Sequence, residues 1–149
     1  AAANVERAVK EFGAEVVDPD AIYDAECDIY APCALGGTLN DDTIGRLKCQ
    51  IVAGAANNQL LDEARHSVMV KEAGLLYAPD YVINAGGIIN VSLELEPGGY
   101  RKEAAVARVR NIHDALLSIF ETAKRRDITT HAAAQEVAEQ NLAEAATTA

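Results

Sequence analysis

The densest group of residues with possible chemistry lies in residues 77–91, which read Tyr-Ala-Pro-Asp-Tyr-Val-Ile-Asn-Ala-Gly-Gly-Ile-Ile-Asn-Val. Gly86 and Gly87 have no side chains, so a ligand can lie directly on their backbone. Ile88 and Val91 follow at a spacing that places both on one face of a helix. The stretch therefore predicts a small-molecule site with a glycine floor and an apolar wall. The alternative is an ordinary glycine-rich turn before a buried helix.

Small residues and side-chain amides also occur in two earlier segments, residues 32–37 and 55–59. Like residues 79–87, each of them follows a predicted strand. Ligands of open parallel sheets bind outside the carboxyl ends of the strands, so we expect the three segments to meet at one edge. Asn57 and Asn58 offer uncharged donors and acceptors, which suit a nicotinamide or an α-amino acid. The alternative is that one of these asparagines caps the helix that follows.

The elements that must position these segments alternate between strand and helix patterns. Strands are predicted at residues 14–17, 28–31, 50–55 and 75–78. Helices are predicted at residues 1–12, 43–47, 61–73, 101–126 and 130–145. Such alternation predicts an α/β fold with a doubly wound parallel sheet, because right-handed crossovers place helices on both faces. The last two helices form a C-terminal extension.

Composition excludes several classes of function. The chain has 149 residues, half of them hydrophobic, which is enough for a domain with its own core. Its net charge of -10 argues against nucleic acid and against anionic membrane surfaces, since both attract clustered Lys and Arg. No apolar run is long enough to span a membrane, and no signal-peptide pattern opens the chain. Cys27, Cys33 and Cys49 lack metal-ligand spacing, so we expect no metal and read them as reduced thiols of a cytoplasmic protein.

Four segments carry a resemblance to a known family. They are Asp28-Ile-Tyr-Ala-Pro-Cys-Ala-Leu-Gly-Gly, Ala55-Ala-Asn-Asn-Gln-Leu, Arg65-His66 and residues 77–91. Together they resemble the C-terminal half of the Glu/Leu/Phe/Val dehydrogenase family, and its leucine dehydrogenases in particular. The resemblance runs from about residue 8 to residue 143. It implies oxidative deamination of an L-amino acid with NAD, by hydride transfer followed by hydrolysis of the imine.

The resemblance also implies which residues contact the cofactor. Cys33 and Ala34 resemble the loop that lies along NAD. Asn58 resembles the asparagine that lies between nicotinamide and substrate, and we assign the adjacent Asn57 to the cofactor as well.

On the substrate side, Asn58 and Gly87 are expected to contact the amino acid. Ile88 and Val91 resemble the apolar residues that line the pocket for its side chain. An isoleucine at position 88 favours a branched aliphatic substrate, because it leaves less room for an aromatic one.

Two parts of the family pattern have no counterpart in this sequence. The catalytic lysines and aspartate of the family lie in a separate N-terminal domain, and no segment matches that domain. The G-x-G-x-x-G motif and the acidic residue that holds the ribose are also absent, so the sheet should be incomplete at its N-terminal side. The predicted strand at residues 14–17 would then lack the strands beside which it lies in the family.

We therefore expect a C-terminal fragment of an NAD-dependent dehydrogenase of branched-chain L-amino acids, with a Rossmann-like fold. Residues 1–100 would form a partial dinucleotide-binding domain, and residues 101–149 would be helices packed on the same domain. No catalytic residue is assigned within the chain, which alone should be inactive, and the full-length enzyme should be a homo-oligomer. The alternatives are a phenylalanine or valine dehydrogenase of the same family, or a non-catalytic binding fragment.

Overall fold

The sheet is the centre of the computed structural model, which describes residues 2–148. Its strands are β1 (Ile29–Tyr30), β2 (Ile51–Val52) and β3 (Leu76–Tyr77). They are parallel and lie side by side in the order β1-β2-β3. The predicted α/β class with a parallel sheet is therefore confirmed. Three of the four predicted strands form this sheet, and each is shorter than expected.

Residues 2–148 also contain six α-helices. They are α1 (Ala2–Phe12), α2 (Glu63–Glu72), α3 (Asp80–Ile83), α4 (Gly86–Ser92), α5 (Lys102–Arg126) and α6 (Thr130–Thr148). Single turns of 3-10 helix lie at Ile22–Asp24, Ile44–Arg46 and Leu93–Leu95. Four of the predicted helices are confirmed with small shifts at their ends, apart from residue 1, which lies outside the described residues. The helix predicted at residues 43–47 is only a 3-10 turn.

The strand predicted at residues 14–17 is wrong. These residues follow the left-handed Gly13 (φ 65°) at the end of α1 and pair with no described strand; the Ala14 N–H instead donates to the Ala8 carbonyl at 3.4 Å. Val16 in their middle is 65% exposed. A strand needs a neighbouring ladder for its backbone N–H and C=O groups, and β1 is the last strand on that side of the sheet within residues 2–148.

The main core lies against the sheet and is closed by α2. Its fully buried members are apolar side chains from both strands and loops: Leu39, Ile44, Val52, Leu60, Val70 and Tyr77. Burying a side chain of this size stabilises the fold by about 1.5–3 kcal/mol. This core packs β2 and β3 in place beneath the loops that leave their carboxyl ends.

Polar contacts join the C-terminal helices to the rest of the chain. Asp127, with φ of 56°, ends α5, and its carboxylate Oδ1 lies 2.7 Å from Lys71 Nζ on α2. The Tyr81 hydroxyl on α3 donates to the His131 carbonyl of α6 at 3.4 Å, and the two rings meet edge to face. A second apolar cluster around Ile119 packs α5 against α6. These contacts hold the pair of helices beside α2 and α3.

Candidate functional site

Three loops leave the carboxyl ends of the strands at the same edge of the sheet. The first loop (residues 32–37) follows β1, the second loop (residues 55–59) follows β2, and the third loop (residues 79–87) follows β3. Because the strands are parallel and adjacent, all three loops leave on the same side. This is the arrangement that the sequence predicted.

Backbone hydrogen bonds join the first loop to the second. The Ala56 N–H donates to the Pro32 carbonyl at 2.9 Å, and the Gly37 N–H donates to the Asn58 carbonyl at 2.7 Å. The approach is so close that a Cβ atom on Gly54 would lie 2.1 Å from the Pro32 oxygen. Only glycine is compatible with such backbone contact at that position.

Side-chain hydrogen bonds join the second loop to the third. Asn84 Nδ2 donates to Asn57 Oδ1 at 2.5 Å and lies 3.4 Å from the Ala55 carbonyl oxygen. The Gln59 N–H donates to Asp80 Oδ2 at 2.9 Å. The three loops are therefore one connected unit, in which the position of each depends on its neighbour.

Gln59 organises the second loop from inside. Its side chain is fully buried, and its Nε2 donates to the Gly54 carbonyl at 2.7 Å and the Ala56 carbonyl at 3.0 Å. The preceding residue, Asn58, adopts a left-handed conformation with φ of 53°. Asparagine tolerates this conformation better than most residues, yet it still needs support from its surroundings. The anchored Gln59 supplies that support and so fixes the direction of Asn58.

Asp80 anchors the third loop in the same manner. The whole Asp80 residue is only 8% exposed, and its Oδ1 accepts a hydrogen bond of 2.7 Å from the Tyr81 N–H at the start of α3. Burial, together with the nearby Glu63 and Asp80 carboxylates, raises the pKa of Tyr81 to about 12. Burial likewise raises the pKa of Tyr77. Both phenols therefore stay neutral at physiological pH and cannot serve as bases there.

Sequence reasoning did not identify Gln59 or Asp80. The only local signal was position, since one directly follows the asparagine pair and the other directly follows Pro79. The bond that joins Gln59 to Asp80 spans 21 residues of sequence, and nothing periodic marks the two positions.

A cavity of about 440 Å³ opens between the second loop, the third loop and α4. It is lined by Asn57, Asn58, Glu63, Asp80, Tyr81, Asn84, Ala85 and Ile88. Three of the predicted site residues thus lie on one cavity. Gly87 and Val91 lie on α4, next to and one turn beyond Ile88, respectively.

The apolar wall predicted on α4 is exposed. Ile88 is 70% exposed and Val91 is 54% exposed, and α4 contains no buried residue. The alternative of a glycine-rich turn before a buried helix is therefore wrong. Two large aliphatic side chains beside a polar cavity are available to contact an apolar group.

Cys33 and Ala34 lie on a neighbouring cavity of about 580 Å³, between the first loop and α1. Both residues are exposed, and Cys33 Sγ accepts the Ala55 N–H at 3.4 Å. The structure thus places these two predicted residues on the flank of the first loop, separate from the asparagine-lined cavity.

Neither Asn57 nor Asn58 caps the following helix, so that alternative is also wrong. The N-cap of α2 is Asp62, whose Oδ1 accepts the Arg65 N–H at 2.9 Å. The Asp62 N–H in turn donates to His66 Nδ1 at 2.8 Å, so the side chains of Asp62 and His66 each accept a backbone N–H at the start of α2. Asn58 instead lines the cavity between the second and third loops.

The fold and the cavity together define an α/β domain with a polar cavity at the carboxyl edge of an open parallel sheet, which is where such sheets bind ligands. Within residues 2–148, no three His, Cys, Asp or Glu side chains come together as a metal site. In the same residues, no helix combines the length and apolar character needed to cross a membrane.

The chain belongs to the Glutamate/Leucine/Phenylalanine/Valine dehydrogenase family, whose sequence profile matches residues 1–149. It is 58% identical over 139 residues to leucine dehydrogenase of Thermoactinomyces intermedius and 54% identical to that of Bacillus cereus. Each alignment covers 93% of the chain but only 37% of the relative. The predicted resemblance is confirmed, and the chain spans little more than a third of the length of these relatives.

Two solved structures share the fold. The crystal structure of L-tryptophan dehydrogenase from Nostoc punctiforme is 51% identical with a TM-score of 0.92, over 97% of this chain and 43% of that one. A hetero-hexameric glutamate dehydrogenase from Thermus thermophilus is 22% identical with a TM-score of 0.66, over 96% of this chain and 36% of that one. At that lower identity the likeness concerns the fold alone.

Proposed function

We propose that the whole protein is an NAD-dependent oxidoreductase that oxidatively deaminates a branched-chain, leucine-like L-amino acid to the 2-oxo acid and ammonia. The observation that carries this proposal is the cavity where Asn58 and Ile88 face the same space. An amide beside an aliphatic side chain suits a substrate with a polar α-carbon and a branched apolar tail. The high identity to leucine dehydrogenases supports the same assignment.

The amide side of the cavity fits the nicotinamide end of NAD, which accepts the hydride in such a reaction. Asn57 is oriented by Asn84, and Asn58 is oriented by its left-handed backbone. Both present uncharged donors and acceptors that match a carboxamide. Cys33 and Ala34 would lie along the cofactor, on the flank of the first loop.

The apolar side of the cavity fits the substrate side chain. Gly87 leaves its backbone open, since nothing lies within 4 Å of the position that a Cβ atom would occupy. Ile88 and Val91 would enclose the branched tail. Because these two side chains are largely exposed, a bound substrate would remove their apolar surface from water, at about 25 cal/mol per Å².

A second candidate is an aromatic substrate. The chain is 53% identical over 140 residues to a protein named L-tryptophan dehydrogenase from Nostoc punctiforme, close to its identity with the leucine enzymes. It is 43% identical to phenylalanine dehydrogenase of Thermoactinomyces intermedius. Ile88 argues for the aliphatic substrate, whereas leucine and valine differ by a methylene worth only about 1–3 kcal/mol in discrimination.

Three further assignments belong to this proposal. Residues 1–100 act as part of a Rossmann-like dinucleotide-binding domain. Residues 101–149 pack on this domain against α2 and α3, and the Lys71–Asp127 ion pair supports that packing. The three cysteines are free, which suits the reducing cytoplasm. The whole enzyme is a homo-oligomer, and sedimentation of the purified protein tests this directly.

The test is a steady-state assay of the whole protein with NAD and a panel of L-amino acids. We expect NADH formation with the highest kcat/KM for leucine, isoleucine or valine. A higher kcat/KM for tryptophan or phenylalanine would favour the second candidate. A protein that binds NADH but reduces no NAD with any amino acid would instead be a non-catalytic binding protein.

A further inference from the structure

Two cysteines lie in register with each other at the amino ends of the first two strands. Two parallel backbone pairs bracket them: Glu26 with Lys48, and Ile29 with Ile51. Both pairs keep the same offset along the chain, so no extra residue intervenes between them. Cys27 therefore lies directly opposite Cys49, one strand across.

The spacing of this pair suits a covalent bond. Neighbouring strands lie about 4.7–4.9 Å apart, and in-register residues of parallel strands project to the same side. Disulfides join residues whose Cα atoms are about 4.4–6.8 Å apart. Burial raises the pKa of the Cys49 thiol, and the nearby Cys27 thiol raises it further, because two neighbouring thiolates repel each other.

The two thiols differ in access, which defines an order of reaction. Cys27 is exposed, whereas Cys49 is half-buried and packs against the main core. Both are free thiols. The third cysteine, Cys33, is exposed at the opposite end of β1, where its sulfur accepts the Ala55 N–H.

We propose that Cys27 and Cys49 are a redox-responsive dithiol that closes to a disulfide when the protein meets a low-molecular-weight disulfide such as glutathione disulfide. The Cys27 thiolate attacks one sulfur of the oxidant, forms a mixed disulfide and releases one glutathione thiolate. The Cys49 thiolate then attacks the Cys27 sulfur and releases the second glutathione. The protein loses two electrons and two protons, and one glutathione disulfide becomes two thiols.

The bond would close a covalent ring over residues 27–49, which contains the whole first loop. Such a bond, made between neighbouring strands, would be readily reduced again, as regulatory disulfides are.

The experiment treats the whole protein with glutathione disulfide, blocks the remaining thiols, digests the protein and maps cysteines by mass spectrometry. We expect a cross-link between Cys27 and Cys49 that is two hydrogen atoms lighter than the free pair and disappears with dithiothreitol. The Cys33→Ser variant should retain the cross-link. The Cys49→Ser variant should lose it and accumulate a glutathione adduct on Cys27 instead.

Two results would overturn the proposal. One is a wild-type protein in which glutathione adducts accumulate on Cys27 without any cross-link to Cys49. The other is a cross-link that joins Cys33 to Cys49 and survives the Cys27→Ser substitution. Neither result depends on dehydrogenase activity, so the dithiol and the proposed function stand or fall separately.

Discussion

Replacing Gln59 with leucine should destabilise the protein and displace the asparagine beside it. Gln59 is fully buried, and its Nε2 is the donor for two buried carbonyls, that of Gly54 just before the second loop and that of Ala56 within it. Leucine fills a similar volume and preserves the packing, so the substitution removes mainly hydrogen bonds. Its effect therefore reports how strongly the glutamine holds the loop.

The magnitude follows from three polar atoms. Each carbonyl that loses its only described side-chain donor costs about 1–3 kcal/mol, which gives roughly 2–6 kcal/mol for two. Gln59 Oε1, however, has no hydrogen-bond partner among the described residues, and its removal returns about 1–3 kcal/mol. The net loss should be about 1–3 kcal/mol, or roughly 3–10 °C in melting temperature.

The assay is denaturant unfolding of the Gln59→Leu variant beside a Gln140→Leu control. Gln140 is exposed on α6, so its replacement should change stability by no more than about 0.5 kcal/mol. Because the left-handed Asn58 depends on Gln59, kcat/KM should fall as well. If the midpoint of Gln59→Leu equals that of the control, Gln59 does not hold the loop and the reasoning fails.

Three other substitutions test the site. Asn58→Ala should lower kcat/KM about ten- to hundredfold, because a lost buried hydrogen bond costs about 1–3 kcal/mol. The control Asn4→Ala, on the exposed face of α1, should leave kcat/KM unchanged, and equal effects would make Asn58 a surface residue. Ile88→Ala should shift the leucine-to-phenylalanine ratio of kcat/KM about tenfold towards phenylalanine, since each lost methylene removes about 0.8 kcal/mol of burial. An unchanged ratio would refute the assignment of Ile88 to the side-chain pocket. Gly54→Ala should lower the free energy of unfolding by about 3 kcal/mol or more, because the new Cβ would lie 2.1 Å from backbone. The control Gly45→Ala places its Cβ in open space and should be tolerated, and similar melting temperatures of the two variants would contradict the close approach.

The parallel sheet and the meeting of three loops could be predicted from sequence, because apolar runs and glycine or proline residues mark them locally. Residues 50–55 and 75–78 carry such runs, and both contain strands of the structure. The segment at residues 14–17 carries a similar pattern but forms no strand. Its sequence reports only a preference, whereas a strand also requires a partner, which is a property of the whole sheet.

The internal supports of the site could not be predicted. The bond from the Gln59 N–H to Asp80 joins residues that are distant in sequence, and no spacing rule relates them. The helix cap was ambiguous for a local reason, since Asn57, Asn58 and Asp62 are all suitable residue types. The reciprocal bond to His66 selects Asp62, and this bond exists only once α2 is formed.

The most direct test of the central claim is the crystal structure of the whole protein with NADH and the 2-oxo acid of leucine. The account predicts that the Asn58 amide lies within about 3 Å of a polar atom of the nicotinamide or the oxo acid. It also predicts that the branched tail of the acid contacts Ile88 at about 4 Å. Ligands bound elsewhere, with the cavity between the second and third loops empty, would contradict it.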